Sequence, residues 1–296
     1  VIKVRIIASL VLLLGMSPLM AQDDLLDLLE SESAADTTID YTFATFKATR
    51  VINGQSVEMT SGGELSFIIG HRFGKISDGL GEFFGLDQAT IRLGLEYGIS
   101  DRLNVAIGRS SFQKTLDSYA KFKVLRQSGG ARKFPFSMVL YSTVALTTAD
   151  WPNPDRKNYF SSRMSFTHQV LLARKFSPSF SLQLTPTMVH RNLVENNEDD
   201  NDVYALGVGG RIKLTSRVSL NAEYFYQLSE VNRSQTFDSF AIGFDIETGG
   251  HVFQLHFTNA QGMIERYFVT ETRDDFFKGD IFFGFNVNRV FTIVKK

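Results

Sequence analysis

From Glu64 onward, apolar and polar residues alternate with a period of two, in segments that return roughly every 10 to 20 residues. In Val218–Gln227, one face carries Val218, Leu220, Ala222, Tyr224 and Tyr226, the other Ser219, Asn221, Glu223 and Gln227. In 204–214, Tyr204, Leu206, Val208, Ile212 and Leu214 oppose Ala205, Gly207, Gly209, Arg211 and Lys213. In 239–247, Phe240, Ile242, Phe244 and Ile246 oppose Ser239, Ala241, Gly243, Asp245 and Glu247. The last segment sets Ile281, Phe283, Phe285, Val287, Phe291 and Ile293 against Gly284, Asn286, Asn288 and Thr292. Twelve such segments lie near 64–73, 90–99, 102–112, 118–127, 134–148, 161–176, 179–190, 202–215, 217–228, 237–247, 251–259 and 280–293.

Short turns at 100–101, 127–133, 177–178, 215–216 and 248–250 alternate with longer polar loops at 74–89, 113–117, 149–160, 191–201, 229–236 and 260–279. An even strand count with short turns at one end and long loops at the other is the pattern of an outer-membrane barrel. Lipid offers the backbone no hydrogen-bond partners, so a sheet that spans it must close on itself. A soluble sandwich also alternates, but several of these segments exceed its usual strand length of about five or six residues, and one face is polar or glycine-rich where a soluble barrel would hide its core. Aromatic residues gather near the segment ends: Phe73, Tyr97, Phe112, Phe136, Phe176, Phe180, Tyr204, Tyr224, Tyr226, Phe240, Phe257 and Phe291. They read as two interfacial girdles. The expected fold is all-β: a single transmembrane antiparallel barrel of about 12 strands over 63–296, behind a short acidic segment.

The stretch ahead of the barrel has a different character. Lys3 and Arg5, an apolar run from Ile6 to Leu14, a turn at 15–18 and the small Ala21 predict a signal peptide over 1–21. Residues 22–62 are expected to be an acidic periplasmic segment and hairpin: Asp23, Asp24, Asp27, Glu30, Glu32, Asp36 and Asp40 put seven carboxylates into 23–40 with no compensating cation. Asn53-Gly54, between β-prone flanks, predicts a type I′ hairpin.

Composition narrows the chemistry. A net charge of −1 across 296 residues gives no global basic surface, so no nucleic-acid partner is expected. The absence of cysteine excludes disulfides, thiolate metal sites and a cysteine nucleophile. Neither a cofactor nor a metal is expected.

Phe83-Phe84-Gly85-Leu86-Asp87-Gln88, Arg92-Leu93-Gly94-Leu95-Glu96-Tyr97-Gly98, Asp101-Arg102-Leu103-Asn104-Val105, Val189-His190-Arg191-Asn192-Leu193 and the run from Asp245 to Asn259 resemble an uncharacterised β-barrel family of Bacteroidota. The likeness spans essentially the whole mature chain. It implies a secreted outer-membrane barrel and brings no reaction, substrate or catalytic residue.

The functional expectation therefore rests on the lumen. Alternation turns Arg72, Arg92, Lys121, Lys123, Lys175, Arg211 and Lys213 inward, with Glu96, Glu223, Asp245 and Glu247. Charges inside a barrel pair across strands or face water, and in a channel they set selectivity. Arg92, Glu96, Lys121, Lys123, Arg211, Lys213, Glu223 and Asp245 are the candidate selectivity residues for a small polar or anionic solute. Small inward residues (Gly94, Gly98, Ala106, Gly108, Gly207, Gly209 and Gly243) would leave free lumen or mark sharp strand coiling. The acidic segment or the hairpin after it either docks in or beneath the barrel as a plug, or remains a free tether. Loop 260–279, with Met263-Ile264, Tyr267-Phe268 and Phe276-Phe277, is apolar enough to fold inward or pack on the rim.

Two other functions compete. A structural or assembly barrel would recruit a periplasmic partner through the acidic segment. An outer-membrane lipid hydrolase would need a serine against one of the outward histidines His71, His168 and His190; a cross-strand serine such as Ser142 is the candidate. His256 is a lone inward histidine. The acidic loop 195–202 would hold a cation or be simply solvated. Expected partners are outer-membrane lipid and the barrel-assembly machinery, which would read the final strand ending at Phe291.

Overall fold

A computed structural model describes residues 38–294 except 152, 156, 195–198 and 231–235. The predicted signal peptide, most of the acidic segment, the centre of the acidic loop and the last two lysines lie outside the described residues.

Twelve strands form one closed barrel: β1 (Glu64–Lys75), β2 (Ala89–Ser100), β3 (Leu103–Ser110), β4 (Thr115–Leu125), β5 (Ser137–Thr147), β6 (Met164–Lys175), β7 (Phe180–Arg191), β8 (Asp202–Lys213), β9 (Val218–Gln227), β10 (Ser239–Thr248), β11 (His251–Thr258) and β12 (Phe282–Thr292). Each pairs antiparallel with its sequence neighbours, and β12 closes on β1 from Phe282↔Lys75 to Thr292↔Glu64. Closure removes the unpaired edges that an open sheet would present. Strands of 8 to 12 residues match the span of a tilted membrane strand.

The alternation sets the facing. On β9, Ser219, Asn221, Glu223, Phe225 and Gln227 are buried while Tyr224 and Tyr226 face out. The exterior is apolar and exposed, with Leu93 at 43%, Leu95 at 40% and Ile107 at 62%. A surface of that kind is costly in water and suits a lipid solvent.

The twelve predicted segments are the twelve strands, displaced by up to three residues at their ends. Three-residue displacements occur at the starts of β4, β5 and β6; β4 begins at Thr115 because Gln113 and Lys114 turn the chain at positive φ, 51° and 46°. Phe112, expected in a girdle, packs edge-on against Tyr267 with ring centroids 5.0 Å apart. A separate two-stranded ribbon pairs Ile39–Tyr41 with Ser128–Gly130.

Two segments fill the barrel. Residues 44–62 occupy the lumen, and Phe46, Val51, Ile52 and Val57 are at most 2% exposed. Phe46, Val51 and Val57 form an apolar cluster with the wall residues Val139, Leu171 and Ala173. Burying each such side chain contributes about 1.5–3 kcal/mol. The other filler is the β11–β12 connection, which returns inward with a short helix, α1 (Glu265–Thr270). Its Phe268 and Val269 pack on Val189, Ala205 and Phe225; Ile264 and Tyr267 pack on Ala145.

The hairpin forms with a different turn from the one Asn53-Gly54 predicts. Val51 N–H donates to Gly54 O at 2.8 Å and Ser56 N–H to Thr49 O at 2.9 Å. Neither Asn53 nor Gly54 has the positive φ of a type I′ turn. The tip instead turns its N–H groups toward a carboxylate of the wall.

Candidate functional site

That carboxylate is Glu223 of β9. It accepts from the backbone N–H groups of Asn53 at 2.6 Å, Ile52 at 3.2 Å and Gly54 at 3.1 Å. Successive N–H groups converging on one anion make a backbone nest, and the charge strengthens each bond. Lys121 of β4 is the complement. Its buried ammonium donates to three carbonyls of the same segment: Thr49 O at 2.8 Å, and Ser56 O and Glu58 O at 3.4 Å. One wall anion thus holds the donors of the filler and one wall cation its acceptors. Both therefore escape the large cost of an unpaired buried charge.

Other inward residues extend this lock. Glu96 accepts from Thr60 Oγ1 at 2.7 Å, from Asn104 at 2.8 Å and from the Tyr119 hydroxyl at 2.6 Å. Arg211 donates to Ala44 O and to Ser219 Oγ. Arg72, buried, donates to Asn53 Oδ1 at 2.6 Å. Asp245 accepts from Gln254, which also donates to Val51 O at 2.9 Å. Arg92 is the exception, since it forms a buried ion pair across the wall with Asp117. Lys123 and Lys213 are half-buried at the short-turn end of their strands. Among the eight candidates, Glu96, Lys121, Arg211 and Glu223 thus converge on residues 44–62.

Neutral amides do as much as the charges, and the charge pattern alone does not single them out. Gln183 accepts from Val57 N–H at 3.0 Å and donates to Gln55 O at 2.7 Å, while Asn286 donates to Ile52 O at 3.0 Å. Their inward facing was legible from the alternation; their partners, more than 120 residues away in sequence, were not.

Several inward glycines make room for these contents rather than for free lumen. A Cβ at Gly98 would lie 2.1 Å from Ser61 O, and one at Gly70 2.9 Å from Met263 Sδ. Gly94 and Gly108 clear space for the guanidinium of Arg92. Where the two fillers meet, at Arg50, Asn53, Arg72 and Met263, lies a cavity of about 10 Å³. That holds about one water and no solute.

The long-loop end is open. A vestibule of about 580 Å³ lies above α1, lined by Thr147, Trp151, Arg163, Arg191, Arg266, Tyr267, Thr270 and Glu271, among others. Arg163 stacks on Trp151 at 3.9 Å and donates to Thr147 O at 3.1 Å. Glu271 Oε1 lies 3.0 Å from Arg266 Nε and 3.9 Å from Arg191 Nη1. The helix that floors this space also touches the lower filler, because Glu265 accepts from Gln55 at 3.0 Å and lies 3.9 Å from Arg50.

On the outer surface, Ser142 Oγ and His168 Nδ1 are 2.9 Å apart on paired positions of β5 and β6. This meets the contact condition for nucleophile and base. The pair lies midway along the strands, in the apolar band, where the sheet ladder already uses the neighbouring backbone N–H groups that an oxyanion would need. Mutual satisfaction of two polar groups facing hydrocarbon accounts for it. His71 stacks on Phe285 at 4.8 Å, and His190 lies 2.6 Å from Asp202. Among the described residues no cluster of three metal-ligating side chains occurs.

A closed twelve-stranded barrel with an apolar exterior and a hydrogen-bonded filling defines a membrane-bound β-barrel. The chain belongs to the family described as membrane bound beta barrel domain (DUF5777), whose model matches residues 46–291. The matched span includes most of the lower filler as well as the wall. No curated protein matches the sequence. Among solved structures, the chain is similar to the NanC porin, at 8% identity and a TM-score of 0.49 over 78% of this chain and 100% of that one. It is also similar to the COG4313 outer membrane channel from Pseudomonas putida F1, at 13% identity and 0.46, over 79% and 97%. A Rhodopseudomonas blastica porin variant matches at 12% identity and 0.33, over 68% and 55%.

Proposed function

We propose that this protein is an outer-membrane barrel that handles a small polar or anionic solute without chemistry, and that residues 44–62 and α1 close it. The observation that carries this reading is the nature of the filling. Wall side chains alone can fill a small barrel, whereas here a separate segment is held by polar wall residues that water could equally solvate. On withdrawal of that segment, Lys121, Arg211, Arg72, Glu96 and Glu223 would line an aqueous passage and set its selectivity.

A structural role with a periplasmic partner is the second reading. It is favoured by one feature: the acidic segment expected to recruit the partner leads directly into the filler, so traction on the first would act on the second. Partners on either reading are outer-membrane lipid and the barrel-assembly machinery, with export by the predicted leader.

Charge preference tests the selectivity assignment. In a barrel opened by removing 44–62, reversal potentials in a salt gradient are expected to favour anions. Lys121→Gln and Arg211→Gln are each expected to move them toward cation preference. Reversal potentials that ignore both substitutions would remove these residues from the selectivity set.

A further inference from the structure

Resting on that solute-handling reading, we infer that the vestibule is a binding site for a small hydroxylated carboxylate, held by Arg163, Arg191 and Arg266. Among the described residues the lining carries Arg163, Arg191, Arg266 and Arg273 beside Asp150, Asp199 and Glu271. Guanidinium forks suit planar carboxylates, which they can bind through two parallel bonds. The protein already shows the geometry, since the carboxylate of Glu271 lies within reach of both Arg266 and Arg191. Thr147 and Ser162 add hydroxyls for a polar body, and the Trp151 ring supplies a flat wall. A volume of about 580 Å³ falls in the range of small-molecule sites. The position fits as well: the site is open at the long-loop end, where an outside solute arrives, and its floor is the helix that contacts the lower filler.

Trp151 is the chain's single tryptophan, so its fluorescence reports on this vestibule alone. Titrating the intact protein in detergent with sodium gluconate is expected to give a saturable change. Sorbitol, the uncharged polyol of the same length, should give none, and inorganic phosphate should bind more weakly than gluconate. Arg191→Gln should weaken gluconate roughly 10- to 100-fold, the loss of one charge-assisted contact. Glu271→Gln should tighten it, because it removes the resident carboxylate; a misfolded variant would not bind more tightly. Equal responses to gluconate and sorbitol, no saturation with gluconate, or stronger binding of phosphate would each overturn the assignment. A barrel that conducts after removal of 44–62 but never binds gluconate would sink this site and leave the pore standing. Gluconate binding to a barrel that stays silent would do the reverse.

Discussion

A barrel lacking residues 44–62 is expected to pass discrete currents in a planar bilayer where the intact protein is silent. The wall closes through its own ladder, from β1 to β12, and does not depend on the filler for pairing. What the deletion removes is the apolar wedge of Phe46, Val51 and Val57 and the backbone groups bound to Glu223, Lys121, Gln183 and Asn286. Water can hydrate the side chains left behind, so the lumen should flood rather than collapse. Helix α1 remains as a constriction. Current steps should therefore grow further when residues 260–274 are also replaced by a short turn. A folded, heat-modifiable barrel that stays silent under both deletions would mean that the wall itself is shut.

The other large effect is expected at Glu223. Glu223→Gln keeps the shape of the side chain but replaces an anion that accepts from Ile52, Asn53 and Gly54 with an amide that offers one acceptor. Breaking a buried charged network typically costs about 3–5 kcal/mol, which corresponds to roughly a 10²- to 4 × 10³-fold rise in the open population at tenfold per 1.4 kcal/mol. Single-channel recording should show openings that are rare or absent in the parent. The barrel should keep its resistance to heat, because no wall pairing is lost. Equal open probability in parent and variant would show that the nest does not hold the filler.

The contrast between what the sequence disclosed and what it hid has a physical origin. Strand number, facing and turn alternation were legible because a barrel wall repeats one pattern, and Glu223, Lys121 and Arg211 fall on its inward face by parity alone. Their partners could not be read that way. Glu223 binds backbone N–H groups 169 to 171 residues earlier, and any sequence presents such groups. Phe46, Val51 and Val57 are buried without a helical or strand period, because an irregular segment surrounded by wall needs none. The Asn53-Gly54 signal pointed to a hairpin, yet its local preference yields to the carboxylate that captures the tip. Arg163, Arg191 and Arg266 come from the far ends of different elements and meet only after the barrel closes. The Ser142–His168 contact needed the β5–β6 register, which the length of loop 148–163 does not determine.

The most direct test of occlusion uses a cysteine pair, in a chain that has no cysteine of its own. A Cβ at Gly209 of β8 would lie 3.7 Å from Val51 Cβ, within the span of an unstrained disulfide. The double variant Val51→Cys, Gly209→Cys is expected to cross-link nearly completely in the membrane under mild oxidation. The link would be visible as a mobility shift reversed by reductant. Oxidation should also abolish the openings that Glu223→Gln confers, and reduction should restore them. Failure to cross-link, with the cysteine at position 51 freely labelled by a bulky membrane-impermeant thiol reagent, would place the segment outside the lumen and contradict the account.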